Sequence, residues 1–174
     1  MNMGYGATMA PQTQPQGTLP NPSSPTRTMR FGSLLIEYDD QVLEPRPWTA
    51  HQSHWAGDLL TTAPPGPVLE LCTGAGQIGL LTIAATYREL VAVDLDPAAG
   101  ELARRNAGQA GLASRVEVRQ GDLQEVLGPH ERFPLVVAGP PYLGADERDL
   151  YPATHASRST ADRAAWRSCG AACP

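Results

Sequence analysis

The sequence predicts an α/β fold, with a doubly wound parallel sheet that follows a small N-terminal hairpin. Short apolar segments alternate with helical segments over residues 68–138, a pattern typical of βαβ units. The first apolar segment leads into a glycine-rich turn, and the last one stops at Gly139-Pro140-Pro141. Strands that alternate with helices are joined by right-handed crossovers, so the sheet should be parallel and covered on both faces.

Residues 1–28 differ in composition from the rest of the chain. Pro, Gln, Gly, Ser and Thr dominate them, and such a segment buries too little apolar surface to offset the entropy of ordering. We therefore predict a disordered Pro/Gln-rich tail over 1–28, and Met29 offers an alternative start.

Residues 29–60 should form a hairpin and a helix. Apolar and polar side chains alternate on both sides of a Tyr-Asp-Asp turn, which predicts strands at 33–37 and 41–43. Apolar side chains at helical spacing, Trp55 among them, then predict a helix over 49–60. The Pro-rich stretch "TTAPPGP" ends this helix and forms a loop.

Residues 61–145 should form the core. We expect strands at 68–71, 90–93, 116–119 and 135–138, and helices at 77–86, 97–110 and 123–127. Asp96 and Pro97 supply an N-cap and a first-turn proline for the middle helix. Ligands of such sheets bind beyond the carboxyl ends of the strands, near the switch point. That edge holds 72–76, Asp94, 121–123 and 139–142. Residues 146–174 contain no clear strand and should form an irregular tail.

The composition narrows the function classes. The chain of 174 residues has a formal net charge of -5, which argues against a broad basic surface for nucleic acid. Its three cysteines are too few for a disulfide framework, and its four histidines form no metal-ligand spacing with them. No segment resembles a signal peptide or a membrane span. We therefore expect a cytoplasmic protein with neither a metal site nor a membrane partner.

The stretch "VLELCTGAGQIGL" contains a candidate cofactor loop. Gly74, Gly76 and Gly79 match the pattern G-x-G-x-x-G, and Asp94 follows where a ribose ligand is expected. Glycines after a first strand let the backbone approach a ligand closely, whatever that ligand is. The motif therefore leaves a nicotinamide or flavin dinucleotide and S-adenosylmethionine open as cofactors.

Two neighbouring features bear on this choice. Glu70 lies inside a buried strand, where a carboxylate is costly unless a partner hydrogen-bonds it. The ammonium group of S-adenosylmethionine would be such a partner, and the alternative is an edge glutamate that leans into solvent. Asp122 and Leu123 follow the third strand, where they could meet the exocyclic amine and the ring of adenine. Their alternative is an ordinary turn in which Asp122 caps the next helix.

The stretch "VVAGPPYLG" has features that suit a planar substrate group with an amine. Two prolines fix the loop after the fourth strand, and the Pro140 carbonyl can accept a hydrogen bond from a substrate amine. Tyr142 offers an aromatic wall for a planar group. A Pro-Pro-Tyr sequence at this place is not expected in a dinucleotide fold, and the alternative is a plain Pro-Pro turn.

These motifs together resemble those of the class I S-adenosylmethionine-dependent methyltransferases, which have a Rossmann-like fold. Residues 70–76 resemble the acidic first motif of that superfamily, and "GPPY" resembles its fourth, Asn/Asp-Pro-Pro-aromatic. More narrowly, "VLEPRPWT" at 42–49 resembles a segment of the protein-(glutamine-N5) methyltransferases, which modify peptide release factors. The resemblance covers about 31–142.

The resemblance implies a role for each motif. Glu70 would head the loop that wraps the methionine moiety, and the loop consists of Cys72, Thr73, Gly74, Ala75 and Gly76. Asp94 would hold the ribose, and Asp122 with Leu123 the adenine. The acceptor pocket would consist of Gly139, Pro140, Pro141 and Tyr142, and Arg46 would help to close it.

The implied reaction is direct methyl transfer to a planar nitrogen, with a protein glutamine side chain favoured and a peptide release factor as the expected type of partner. A nucleobase methyltransferase, a non-catalytic remnant and a nicotinamide-binding protein remain alternatives. The sequence departs from the family at Gly139, where the family has Asn. Only four of the family's seven strands can be counted, so we interpret the chain as truncated or frame-shifted, with its fourth strand as an exposed edge. The alternative is a divergent small domain.

Overall fold

The computed structural model describes residues 25–140. The helices and strands are β1 (Arg27–Phe31), β2 (Leu34–Tyr38), α1 (Ala50–Leu59), β3 (Val68–Leu71), α2 (Gln77–Ala84), β4 (Leu90–Asp94), α3 (Pro97–Gln109), β5 (Val116–Gln120), α4 (Leu123–Val126) and β6 (Leu135–Ala138). Every strand and helix predicted for the core is present. The tail predicted at 146–174 lies outside the described residues, as do residues 1–24.

The core sheet is parallel, and its strand order is β5-β4-β3-β6. The chain runs outward from β3 through β4 to β5 and then returns to the other side of β3. This reversal creates a switch point between β3 and β6, where the loops that follow the two strands diverge. Within the described residues β6 is an edge strand, and its Val136 is 51% exposed. The predicted α/β class with a doubly wound parallel sheet is confirmed.

Both faces of the sheet are covered, which explains why its central strands are almost entirely apolar. On one face, β3 and β4 pack under α2, α3 and the hairpin, around Val68, Leu80 and Leu90. On the other face, the side chains of Leu69, Leu71, Val91 and Val93 pack beneath α4 and the segment that follows it.

The position of the hairpin turn differs from the prediction. The strands lie at Arg27–Phe31 and Leu34–Tyr38, so the predicted strands at 33–37 and 41–43, with a turn at Tyr-Asp-Asp, were wrong. Gly32 makes the turn because it adopts a left-handed φ of +58°, which a tight hairpin turn requires. The Asp39 carboxylate instead accepts the Gln41 N–H at 2.8 Å, which turns the chain away after β2.

The hairpin also begins earlier than expected, because β1 starts at Arg27 and not at residue 29. The helix predicted at 49–60 is present as α1, but Trp55 lies on its exposed side with 67% of its surface accessible. The buried side chains of α1 are the small ones, Ser53 and Ala56. Small residues are favoured there because they let α1 approach α2 closely, and the Ser53 hydroxyl donates to the Ile78 carbonyl at 3.0 Å.

Candidate functional site

The glycine loop, residues 72–76, connects the carboxyl end of β3 to α2. Gly74 and Gly76 have φ values of +55° and +80°, which glycine adopts without steric cost. A Cβ on Gly76 would lie 3.2 Å from the Cβ of Ala103. The loop therefore packs closely on α3 at Gly76, so glycine is favoured there by conformation and by contact, and at Gly74 by conformation alone.

Glu70 lies beneath this loop and is almost fully buried, with 2% of its surface exposed. Its Oε1 accepts the N–H of Gly79 at 2.9 Å, and its Oε2 accepts the hydroxyl of Thr73. Burial raises the pKa of the Glu70 carboxyl to about 7, although both hydrogen bonds act in the opposite direction.

These contacts change the interpretation of Glu70. The side chain does not lean into solvent, so that alternative was wrong. Both carboxylate oxygens have partners within the protein, so the burial of Glu70 does not by itself require a cofactor ammonium group. Glu70 connects the loop at Thr73 to the first turn of α2 at Gly79, and its direct contact with a cofactor stays a prediction.

Asp94 ends β4 beside the glycine loop. Its Oδ2 accepts the Gly74 N–H at 2.8 Å, and its Oδ1 accepts the Asp96 N–H at 3.0 Å. Burial raises the pKa of Asp94, while these two N–H groups act to lower it. The carboxylate predicted to hold a ribose therefore also fixes the loop, and the ribose contact stays a prediction. Asp96 caps α3 as expected, because its Oδ1 accepts the Ala98 N–H at 2.9 Å.

The predicted adenine residues follow β5 at the same edge of the sheet. The Gly121 N–H donates to the Asp94 carbonyl at 2.9 Å, which joins the ends of β5 and β4. Asp122 is the N-cap of α4, and its Oδ1 accepts the Gln124 N–H at 2.9 Å. The capping alternative for Asp122 is therefore confirmed. Leu123 packs on the sheet, and an adenine contact of either residue stays a prediction.

The predicted acceptor segment leaves β6 next to the glycine loop. The Gly139 N–H donates to the Leu71 carbonyl at 3.3 Å, directly before the loop begins. The Gln52 side chain of α1 donates to the Ala138 carbonyl at 3.4 Å. Gly139 and Pro140 are thus placed at the switch point, and α1 contacts the strand end from the N-terminal side. Pro141 and Tyr142 lie outside the described residues.

Arg46 lies just before α1, in the segment expected to close the site. Its guanidinium carbon is 5.7 Å from the centre of the Trp48 ring, within the range of a cation–π contact. Its carbonyl accepts the N–H and the hydroxyl of Thr49 at 2.9 and 2.7 Å. These bonds fix the entry into α1, and the closing role of Arg46 stays a prediction.

Cys72 carries backbone strain at the start of the glycine loop. Its φ is +57°, and it is the only residue other than glycine with a positive φ among residues 25–140. A side chain in this conformation costs about 1–2 kcal/mol, which glycine avoids. Glycine also gains entropy in the unfolded chain, which offsets part of the benefit. We expect Cys72→Gly to raise the free energy of unfolding by about 0.5–1 kcal/mol in denaturant titrations.

Cys72→Val is the matched control for this prediction. A β-branched side chain fits a left-handed conformation worse than cysteine does, so this variant should be less stable than the natural protein. A Cys72→Gly protein that is no more stable than the natural one would contradict the assignment of strain to this residue.

Sequence reasoning missed two residues near the loop. Leu95 is 55% exposed between Asp94 and Asp96. The sequence feature that could have indicated it is an apolar residue between two aspartates at the end of a strand. Asn106 is completely buried on α3 and hydrogen-bonds the carbonyl of Ala75. The sequence feature that could have indicated Asn106 is a polar residue at a position where the helical pattern predicts an apolar one.

Two further observations concern only residues 25–140. No group of three or more His, Cys, Asp or Glu side chains in this part of the chain could hold a metal ion. None of its helices has both the length and the apolar character needed to cross a membrane.

Comparison with known proteins agrees with this geometry. A release factor glutamine methyltransferase of Rhodopirellula baltica is 33% identical over 129 residues, which cover 71% of this chain and 44% of that protein. A ribosomal protein uL3 glutamine methyltransferase of Bradyrhizobium diazoefficiens is 37% identical over 128 residues, or 68% of this chain and 40% of that protein. The chain spans less than half the length of these relatives.

A solved structure supports the fold. A protein of Pyrococcus horikoshii described as a transferase has a TM-score of 0.50 and 13% identity, and the match covers 59% of this chain and 38% of that one. The sequence profile of the methyltransferase domain matches residues 68–155. This match covers half of the chain and contains the glycine loop, Asp94 and the segment after β6, so the chain belongs to the methyltransferase domain family.

Proposed function

We propose that the chain is an S-adenosylmethionine-dependent methyltransferase domain that methylates a planar nitrogen, and that a protein glutamine side chain is the acceptor. The observation that carries this proposal is the contact between Gly139 N–H and the Leu71 carbonyl at 3.3 Å. It puts the segment after β6 beside the start of the glycine loop. A methyl donor held by the loop would therefore lie next to an acceptor held at Gly139 and Pro140.

The residues present suit such a cofactor. The backbone of the glycine loop is open to close approach at Gly74, because a Cβ there would meet no atom of residues 25–140 within 4 Å. Asp94 presents a carboxylate beside it, and the exposed Leu95 offers apolar surface at the same strand end. S-adenosylmethionine would supply an electrophilic methyl group, and the protein would contribute alignment of the acceptor nitrogen.

The glutamine acceptor is supported by the relatives and by the Pro140 carbonyl. The two relatives described above are named for glutamine methylation of a release factor and of ribosomal protein uL3. A backbone carbonyl at Pro140 can accept a hydrogen bond from an amide N–H and orient its nitrogen. This contact would also stabilise the positive charge that develops on the nitrogen as the methyl group is transferred, because the negative end of the carbonyl dipole faces the N–H. We therefore expect a protein partner that presents an accessible glutamine.

A calorimetric titration tests the cofactor. S-adenosylhomocysteine should bind the natural protein and NADH should not. Asp94→Asn should weaken S-adenosylhomocysteine binding by roughly tenfold or more, because a carboxylate accepts hydrogen bonds from hydroxyl groups more strongly than an amide does. Asp96→Asn is the matched control, since asparagine caps a helix as well as aspartate. It should leave the affinity unchanged.

Two outcomes would contradict the proposal. Binding of NADH without S-adenosylhomocysteine would favour the nicotinamide alternative. Equal losses of affinity in Asp94→Asn and Asp96→Asn would show that the carboxylate of Asp94 has no particular part in cofactor binding.

A further inference from the structure

Asn106 occupies a position of α3 where an apolar side chain is expected. The buried stripe of this helix otherwise consists of small and apolar residues, Leu102, Ala103 and Ala107 among them. Asn106 itself is completely inaccessible to solvent. A buried amide is unfavourable unless its hydrogen-bonding groups are satisfied, so its partners indicate why it is there.

The Asn106 amide joins two segments that are distant in sequence. Its Oδ1 accepts the Glu37 N–H at 2.8 Å, and its Nδ2 donates to the Glu37 carbonyl at 2.9 Å. The side chain thus pairs with β2 as the backbone of another strand would. The second hydrogen of Nδ2 goes to the Ala75 carbonyl in the glycine loop, at 2.8 Å.

The bond from Asn106 reaches the glycine loop at Ala75, between two of its glycines. It is 1% exposed and lies between Gly74 and Gly76, two residues whose backbones have wide conformational freedom. Gly76 already packs against Ala103 of the same helix. The Gly76 N–H of the same peptide donates to the Thr73 carbonyl at 2.8 Å. The bond from Asn106 therefore holds the carbonyl side of a peptide whose N–H side is held within the loop.

We propose that Asn106 is a positioning residue that couples the glycine loop to the docking of the N-terminal hairpin. One planar amide bonds both segments, so a displacement of β2 also displaces the donor that holds Ala75. By reciprocity, a ligand that orders the loop stabilises the docked hairpin. The affinity test below rests on the proposed function, because it uses the product of that reaction as its probe.

Asn106→Asp tests the coupling with almost no change of shape. An oxygen then replaces the Nδ2 group and faces the carbonyls of Glu37 and Ala75, where two attractive contacts become repulsive. We expect the Kd for S-adenosylhomocysteine to rise by roughly tenfold or more. Titrations are made at a temperature where circular dichroism shows both proteins to be folded. Asn106→Ser removes the same donor without adding charge, and it replaces the aspartate variant if that protein does not fold.

Arg105→Gln is the matched control. Arg105 is the neighbour of Asn106 on α3 and contacts the same strand, because its Nε lies 3.5 Å from the Glu37 carboxylate. It has no hydrogen bond to the glycine loop. This exposed ion pair should matter little, so we expect a change of less than about twofold in Kd. A less stable Asn106 variant with an unchanged Kd would show that Asn106 only holds the fold, and would overturn the proposal.

Hydrogen exchange provides a measurement on the natural protein alone. S-adenosylhomocysteine should slow the exchange of the Glu37 amide as well as that of the loop amides. Slowing confined to the loop would overturn the coupling. If S-adenosylhomocysteine does not bind, the cofactor proposal fails. The role of Asn106 is then tested by comparing hydrogen exchange of the natural protein and the Asn106 variant without ligand. The Asn106 variant must then speed exchange at both Glu37 and Gly76, and faster exchange at Glu37 alone would contradict the inference.

Discussion

Gly79→Ala is expected to lower the free energy of unfolding by roughly 3 kcal/mol, because it overpacks the core and breaks a buried hydrogen bond. A Cβ at this position would lie 2.5 Å from Oε2 of Glu70 and 2.9 Å from Cδ2 of Leu90. Glu70 cannot move freely, because it is held by Thr73 and by the Gly79 N–H itself, and Leu90 is 1% exposed within the core. Denaturant unfolding measures the effect, and the loop should lose its affinity for S-adenosylhomocysteine in parallel.

Gly108→Ala is the matched control, because Gly108 is also a helical glycine and a Cβ there would meet nothing within 4 Å in the part of the chain that the structure describes. The free energy of unfolding of that variant should rise by up to about 1 kcal/mol, which is the ordinary difference between alanine and glycine in a helix. A double-mutant cycle with Glu70→Ala locates the cause. Gly79→Ala should cost much less once the carboxylate is gone, and an equal cost in both backgrounds would contradict the steric role of Glu70.

Gly139→Asn is expected to increase methyl transfer to a glutamine peptide by roughly 10–100-fold, the value of one added hydrogen bond in the transition state. The resemblance described above has Asn at this position, where its side-chain carbonyl would share the hydrogens of the acceptor amide with the Pro140 carbonyl. The structure accepts the change. Gly139 is not among the glycines with positive φ, and a Cβ there would lie 3.6 Å from Cδ1 of Ile78, an ordinary contact.

Transfer of labelled methyl groups to the peptide measures this effect, with S-adenosylmethionine saturating. Gly139→Ala adds the same Cβ without the amide, so it should stay at the activity of the natural chain. An Asn variant that binds cofactor but transfers no faster would count against glutamine as the acceptor. An increase seen with an oligonucleotide and not with the peptide would favour the nucleobase alternative.

The order of strands and helices in the core was predictable from the sequence. Gly-rich and Pro-rich turns mark the ends of the apolar segments, and Asp96 with Pro97 starts α3 through local chemistry that does not depend on tertiary contacts. The hairpin was less predictable, because two turn signals compete in it. Gly32 and the Tyr-Asp-Asp sequence each suit a turn, and packing of Phe31 and Ile36, both fully buried, decides between them.

The candidate site also has features that the sequence predicted and features that depend on tertiary contacts. Local sequence determined that a glycine turn and Asp94 would meet at one edge of a parallel sheet, because strand ends and turn residues are short-range properties. Only the tertiary structure decided that Glu70 bonds Thr73 and Gly79 rather than solvent, and that Asn106 joins Glu37 to Ala75. These partners are brought together by packing of α2 and α3 on the sheet. A buried polar group is satisfied by whichever groups the packing places within hydrogen-bonding distance, and sequence spacing does not reveal them.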